Sequence, residues 1–203
     1  MLSPRPLFAA LSLSLAAALL PLSAHAASKH TQHDSAKEAA PKAGTKAIAV
    51  STLDGKFSFT LPAGYTANPL PAGDAAHGTE GASGTMYLNE ALKRVVIVTE
   101  SPIPNGTQVT DNDATFLDAA AAGLSNQQQA GLPDYQKISE KSARIKGLGV
   151  RQIDSTGTMG GGKTLTTTFV AGSGKRMTAV EVVSRAADQK DHDALVQQIM
   201  GGK

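Results

Sequence analysis

The chain has 203 residues, a net charge of +2, few aromatic residues and no cysteine. The absence of cysteine excludes disulfides, thiol chemistry, cysteine-ligated metals and a lipid attached to a cysteine behind a signal peptide. The basic residues are scattered, whereas nucleic-acid binding relies on a basic stripe combined with aromatic stacking. Composition therefore argues against a nucleic-acid-binding protein and against a thiol enzyme.

Residues 1–26 have the pattern of a secretory signal peptide. A basic residue, Arg5, precedes an almost wholly apolar run over 7–20, and a small-x-small cleavage site ends at Ala26. The apolar run is short for a helix that spans a bilayer, so we expect export followed by cleavage. His25 stands where a lipoprotein would carry its cysteine, which predicts a soluble periplasmic protein that is not lipidated.

Residues 27–47 predict a flexible linker, because they are rich in Ala, Lys, Ser, Pro and Gly and show no apolar period. Residues 48–203 are then expected to form a single domain with a sizeable core. His30 and His33 in the linker have the side chains of a metal site, but a flexible segment does not fix ligand geometry. We therefore expect a solvated tail there.

The first part of the domain predicts short strands. Four stretches carry the signal, at 46–51, 56–60, 85–88 and 93–100. Asp54-Gly55 favours a tight turn between the first two. Residues 66–84 are rich in Ala, Gly and Pro and predict a loop long enough to be functional or mobile. Residues 95–98 are all apolar, which is typical of a central strand covered on both faces.

An amphipathic helix is predicted over residues 114–130. Polar residues at 110–113 provide N-cap candidates, and Gly131 and Pro133 end the helix. An apolar stripe at three- and four-residue spacing should cover one face of a sheet; it comprises Phe116, Leu117, Ala120 and Leu124. The opposite side should lie in water; it comprises Asp118, Gln127 and Gln128.

The last part of the domain predicts a run of strands and a final helix. The strands lie at 135–145, 148–156, 164–170 and 175–184, and short glycine-containing turns between them imply an antiparallel meander. The helix covers 188–200, and one of its faces carries His192, Leu195, Val196 and Ile199. This order of elements indicates an α+β fold, an antiparallel β-sheet with helices packed on it.

Residues 157–164, GTMGGGKT, match the phosphate-binding pattern G-x-x-x-x-G-K-[ST]. That motif requires a helix behind the loop, so that the helix N-terminus faces the phosphates. Here residues 164–170 predict a β-strand instead. The glycines therefore predict a hairpin turn with an exposed Lys163, and no nucleotide binding.

The domain carries no complete catalytic set. The pattern G-x-S-x-G is absent, and only His77 and His192 are available as histidine bases. We expect His77 to be an exposed loop residue and His192, between Asp191 and Asp193, to lie in a solvated first helical turn. Residues 111–113 begin like a calcium loop but lack its later glycine and glutamate. The sequence thus predicts no enzyme activity, no catalytic or metal-binding residues and no cofactor.

Two segments resemble a known family, the DcrB-like envelope proteins. Residues 53–63, LDGKFSFTLPA, resemble the opening hairpin of that family, and residues 141–155, KSARIKGLGVRQIDS, resemble its strand, Lys-Gly turn and strand. The resemblance covers roughly residues 50–200 and implies a PsbP-like α/β/α sandwich. It also implies export, because the family is exported. The family has no established enzyme activity and is linked to the cell envelope and to bacteriophage entry.

The resemblance implies a non-catalytic, periplasmic, envelope-associated protein that acts through protein contacts. Its partner would be an envelope protein, with no nucleic acid, no nucleotide and no integral membrane segment once the signal is removed. Cytoplasmic relatives act as chaperones for hydrophobic segments of secreted toxins. The alternative is therefore a carrier or chaperone that binds a hydrophobic helix or a lipid tail.

We expect the mature protein to begin at Ala27, because cleavage behind Ala26 removes the whole predicted signal peptide. The intact mass of protein recovered from the periplasm should equal that of residues 27–203. A mass that retains residues 1–26, or recovery only with the membrane fraction, would contradict this expectation.

Overall fold

The structure is a computed structural model that describes residues 44–76 and 79–201. The predicted signal peptide, most of the predicted linker and His77 lie outside these ranges. The described strands are β1 (Ile48–Thr52), β2 (Phe57–Leu61), β3 (Thr66–Pro69), β4 (Ser83–Asn89), β5 (Arg94–Pro102), β6 (Gln136–Ile145), β7 (Leu148–Met159), β8 (Gly162–Ser173) and β9 (Arg176–Arg185). The described α-helices are α1 (Ala114–Gly131) and α2 (Gln189–Ile199).

Seven strands form one antiparallel sheet in the order β3-β4-β5-β9-β8-β7-β6. The predicted meander is present, since β6 to β9 pair with their neighbours in chain order. The pairing of β5 with β9 joins this meander to the earlier strands. β1 and β2 form a separate hairpin. The predicted α+β fold, an antiparallel sheet with helices packed on it, is confirmed.

The sheet is covered on both faces, because neighbouring residues of β8 are buried on opposite sides. Phe169 packs in one apolar cluster with the β1–β2 hairpin and α2, whereas Val170 packs in another with α1. The larger cluster includes Phe57, Leu61, Tyr65, Val96, Phe169, Val180, Val182, Leu195 and Ile199. The hairpin and α2 therefore form one outer layer, and α1 forms the other.

The β1–β2 hairpin is closed by the predicted turn. Asp54 and Gly55 both have positive φ angles, of 55° and 88°, and the amide of Lys56 donates to the carbonyl of Leu53 over 3.1 Å. The amide of Leu53 in turn donates to Glu100 Oε2 over 2.8 Å. This contact joins the turn of the hairpin to β5 of the seven-stranded sheet.

The predicted loop over 66–84 is wrong at both ends. Residues Thr66–Pro69 form the edge strand β3, and β4 already begins at Ser83. β3 has no fully buried side chain, so its pairing comes from the backbone of β4 and leaves no hydrophobic pattern to detect. The predicted cover on both faces of residues 95–98 is also wrong, since Val96 and Val98 are buried but the two residues that alternate with them are partly exposed.

Helix α1 begins and ends as predicted, but its buried face is shifted. Asp113 is the N-cap, and its carboxylate accepts a hydrogen bond from the amide of Phe116 over 3.0 Å. The fully covered positions are Leu117, Ala121 and Ser125. The predicted residues Phe116, Ala120 and Leu124 are only partly buried. Small side chains at the centre let the helix lie close to the sheet.

Phe116 packs against a glycine that has no room for a side chain. A Cβ atom added to Gly172 in β8 would lie 2.3 Å from Phe116 Cε1. The aromatic ring thus rests directly on the strand backbone. This contact depends on both residues, since one provides the ring and the other the space.

We predict that Phe116→Ala and Gly172→Ala each destabilise the protein but do so non-additively. Phe116→Ala should cost about 2–3 kcal/mol, less than a fully buried phenylalanine would, and Gly172→Ala about 1–3 kcal/mol by overpacking. Once the ring is gone the new methyl group has room, so the double variant should cost at least about 1 kcal/mol less than the sum. Urea unfolding of all variants measures this. Gly162→Ala, at an open position of the same strand, is the control, and strict additivity would contradict the packing described.

Candidate functional site

A cavity of about 400 Å³ lies between α2 and strands β6 to β8. Its lining mixes apolar and polar side chains and includes Ile138, Lys141, Asp154, Leu165, Gln189 and His192. The side chains of β7 and β8 reach it because alternate residues of a strand point to the same face. This mixed lining makes the cavity a candidate site for chemistry.

A chain of hydrogen bonds runs beneath this cavity. Arg94 Nε donates to Ser184 Oγ over 3.1 Å, and Ser184 Oγ lies 3.0 Å from His192 Nδ1. On the other side of the ring, His192 Nε2 lies 2.9 Å from Thr167 Oγ1. Thr167 Oγ1 donates to Asp154 Oδ1 over 2.8 Å. The chain thus links β5, β9, α2, β8 and β7.

The predicted solvated position of His192 is wrong, because this side chain is only 4% exposed. It lies three, four and seven residues before Leu195, Val196 and Ile199, which are the buried residues of α2. That spacing places His192 on the apolar face of α2. The spacing is a stronger indication of burial than the flanking acids are of exposure. Burial lowers the pKa of His192, and the nearby Arg94 lowers it further against the opposing effect of carboxylates.

Asp154 is held as a carboxylate at the end of the chain. Burial would raise the pKa of Asp154, but hydrogen bonds from Gln152, Ser139 and Thr167 lower it, and the net shift is downward. Gln152 Nε2 and Ser139 Oγ donate over 2.8 and 2.7 Å, and Lys141 Nζ lies 3.8 Å away. Both oxygens of the Asp154 carboxylate therefore already accept hydrogen bonds from side chains of the protein.

The buried hydroxyls of the chain are poorly placed for nucleophilic chemistry. Ser184 is 1% exposed and Thr167 is 2% exposed, so neither oxygen is open to a substrate. Each is also engaged on two sides by its neighbours. The arrangement is suited to holding α2 against the sheet.

The opposite face of the sheet offers a second, apolar candidate. The strand register aligns two rows of residues there, Leu88, Val95 and Val183 in one and Met86, Ile97 and Glu181 in the other. All of them are partly exposed, and all but the glutamate are apolar. We call the apolar members, Met86, Leu88, Val95, Ile97 and Val183, the open face.

The open face lies beside α1, which packs on β7 and β8. Among the described residues the only other α-helix, α2, lies on the opposite face of the sheet. Neighbouring strands are about 4.8 Å apart, so β4, β5 and β9 span about 10 Å. A helix with its side chains is about 10 Å wide, so these three strands are about as wide as one helix.

Gln128 and Glu181 mark the border between α1 and the open face. The prediction that Gln128 lies in water is wrong, because its Nε2 donates to Glu181 Oε1 and lies 3.3 Å from Thr168 Oγ1. Asp118 is exposed as predicted, although it pairs with Arg151. Burial raises the pKa of Glu181, and the bonds from the glutamine and the threonine oppose that rise.

The glycine-rich segment at 157–164 is a β-hairpin, as predicted. β7 and β8 pair across it, and only Gly160 and Gly161 form the turn. Lys163 is exposed but not free, since its ammonium group pairs with Asp134. This bond, together with one from Thr158, lowers the pKa of Asp134 to about 2. Lys163 therefore forms an ion pair on the surface, and the glycine-rich turn is followed by a strand and not by a helix N-terminus.

The acidic segment at 111–113 serves structure. Asp113 caps α1, and Asp111 accepts hydrogen bonds from Lys56 Nζ and Ser173 Oγ over 2.8 and 2.6 Å. Within 44–76 and 79–201, no three His, Asp or Glu side chains converge as a metal site would require. His30, His33 and His77 lie outside these ranges. No helix of the described ranges is both long enough and apolar enough to cross a membrane.

Comparison with known proteins finds relatives in sequence and in fold. The chain is 24% identical over 151 residues to the inner membrane lipoprotein DcrB of Shigella flexneri, covering 74% of each chain. The solution structure of cyanobacterial PsbP (CyanoP) from Synechocystis superposes with a TM-score of 0.55 and 10% identity, covering 81% of this chain and 95% of that one. No protein-family model matches the chain. The predicted PsbP-like fold is thus confirmed.

We predict that Gln128→Ala destabilises the protein by about 1–2 kcal/mol at pH 7, because it removes one of the two side-chain hydrogen bonds that oppose the effect of burial on the Glu181 carboxyl group. The loss of this bond raises the pKa of Glu181 further. The cost should therefore shrink as the pH falls and the carboxylate takes up a proton. Urea unfolding at pH 7 and pH 4.5 tests both points. Gln129→Ala, at an exposed position of the same helix, should cost almost nothing, and equal costs for both variants would contradict the role of Gln128.

Proposed function

We propose that this DcrB-like protein with a PsbP-like fold is a non-catalytic component of the cell envelope that acts through protein contacts, and that the open face is its contact surface. The observation that carries the proposal is the alignment of five apolar, partly exposed side chains on neighbouring strands. Contiguous apolar patches of this kind mark interaction sites, whereas scattered ones do not.

The export signal and the curated relative support a location in the envelope. The relative DcrB is an inner membrane lipoprotein, but this chain has no cysteine to which a lipid could be attached. We infer that it works as a soluble periplasmic protein. A partner, rather than a lipid anchor, would then bring it to the membrane.

The strand pairing favours a helix as the occupant of the open face. Each of β4, β5 and β9 already pairs with a strand on both sides. None of them therefore has a free edge to which a further strand could pair. Affinity must therefore come from side-chain packing. The three strands are about as wide as one helix, so the partner would contribute an amphipathic helix with its apolar side on the sheet.

The same apolar residues favour a second candidate, a carrier or chaperone for a hydrophobic helix or a lipid tail. In that case the occupant would be a membrane segment awaiting insertion, or a lipid, instead of a helix of a folded partner. Both readings need the open face. They differ in the chemical nature of what is bound.

The polar cavity supports the non-catalytic part of the proposal. Asp154 and His192 have the residue types of an acid–base pair, but protein donors and acceptors occupy both. A general base must lie within hydrogen-bond reach of a substrate proton. We infer that these side chains stabilise the fold and do not turn over a substrate.

We predict that Ile97→Lys abolishes the capture of the partner and leaves the free energy of unfolding within about 1 kcal/mol of wild type, because the side chain is already partly exposed and lysine can reach water. Ile138→Lys is the matched control, since Ile138 is 64% exposed on the distant strand β6. The measurement is in-cell photocrosslinking from a photoreactive residue at Val95, followed by sequencing of the crosslinked peptide and by urea unfolding.

The crosslinked species also separates the two candidates. A peptide from the soluble part of an envelope protein supports the leading proposal, and a membrane-spanning segment or a lipid adduct supports the carrier. Equal yields in wild type, Ile97→Lys and Ile138→Lys would contradict a role for the open face.

A further inference from the structure

The hydrogen-bond chain beneath the cavity can be satisfied in only one direction. An ionised Asp154 only accepts, so the single hydroxyl proton of Thr167 must point to it. Thr167 Oγ1 then has only acceptor capacity left for His192, 2.9 Å away. Nε2 of the imidazole therefore carries the proton.

The other half of the chain follows from the same accounting. With Nε2 protonated, Nδ1 of neutral His192 is an acceptor and takes the hydroxyl proton of Ser184. Ser184 Oγ in turn accepts from Arg94 Nε. Every proton thus points from the buried cation towards the carboxylate, through side chains that are themselves uncharged. Within the described residues Arg94 forms no ion pair of its own.

We propose that His192 is a pH-sensitive latch, which holds the first half of α2 on the sheet while the imidazole is neutral and releases it, exposing the adjoining cavity, when the imidazole is protonated. The chain is specific to the neutral ring. A proton on Nδ1 would confront Ser184 with two donors, from His192 and Arg94, and leave its hydroxyl proton without an acceptor.

Charged groups on the surrounding elements set the balance of this latch. Arg94 from β5 repels an imidazolium, whereas Asp154 from β7 and Asp193 on α2 attract it. Lys141 from β6 neutralises part of the attraction, since it lies 3.8 Å from the carboxylate of Asp154. Desolvation also disfavours the imidazolium, because the ring is buried.

The direction of the pH dependence follows from linkage. Because burial lowers the pKa of His192 in the folded state, the unfolded chain binds the proton first, near pH 6.5. The stabilisation is complete above that pH and is lost as the pH falls towards the folded-state pKa. Asp154, whose pKa is lowered, keeps its charge through this window. Glu181, whose pKa is raised by burial, acts in the opposite direction, because its protonation favours the folded state as the pH falls.

The first test reads the proton position directly, by nitrogen-15 NMR of the imidazole rings of the intact protein at pH 7.5, with His192→Gln used to assign the signal. We expect a neutral ring protonated at Nε2. A ring protonated at Nδ1, or an imidazolium at this pH, would overturn the proposal. This measurement needs only the wild type to be folded and a variant spectrum for assignment.

The second test follows release. On acidification from pH 6.5, the unfolding equilibrium constant of the wild type should rise by up to tenfold per pH unit until the folded-state pKa is reached. Hydrogen-exchange protection factors of the α2 amides should fall in the same window, while those of α1 hold. His192→Gln should flatten both responses, and His77→Gln, the control, should keep them. If the glutamine variant does not fold, the wild-type protection factors decide. Unchanged protection of α2 down to pH 5, or loss of the response in the control, would overturn the latch.

Discussion

The pairing of β5 with β9 is the constraint on which the rest of the molecule depends. It joins the N-terminal strands to the C-terminal meander and sets the register between them, with Val96 opposite Val182 and Val95 opposite Val183. A slip of one residue would exchange the two faces of the strand. Ser184 would then leave His192, and the valines that fill the core would turn to the open side. Both candidate sites therefore rest on one register, although they lie on opposite faces.

Local sequence patterns predicted much of the fold because each of them lies within a single helix, strand or turn. The apolar spacing of α2, the glycines between β7 and β8 and the Asp54-Gly55 turn each depend on a few consecutive residues. The resemblance of residues 53–63 and 141–155 added the family and the sandwich. The acids on either side of His192 do not indicate its exposure, since residues one position apart on a helix point to different faces.

What could not be predicted depends on contacts between distant segments. β3 has a strand's backbone partner but no buried side chain, so only the presence of β4 reveals it. Gln128 lies on the side of α1 that the helix sequence predicts to be exposed. Its hydrogen bond to Glu181, 53 residues away, turns its side chain towards the sheet. The partial exposure of β5 is of the same kind. An all-apolar strand signals burial, but the number of helices available to cover the sheet decides how far that burial goes.

The backbones of β4, β5 and β9 are saturated within the sheet, and this has a thermodynamic consequence for any protein that binds there. Association would remove apolar surface from water without forming a backbone ladder or an ion pair. Its signature would be a negative heat-capacity change and an affinity almost independent of ionic strength. A surface of this kind would select its occupant by shape and hydrophobicity, not by charge.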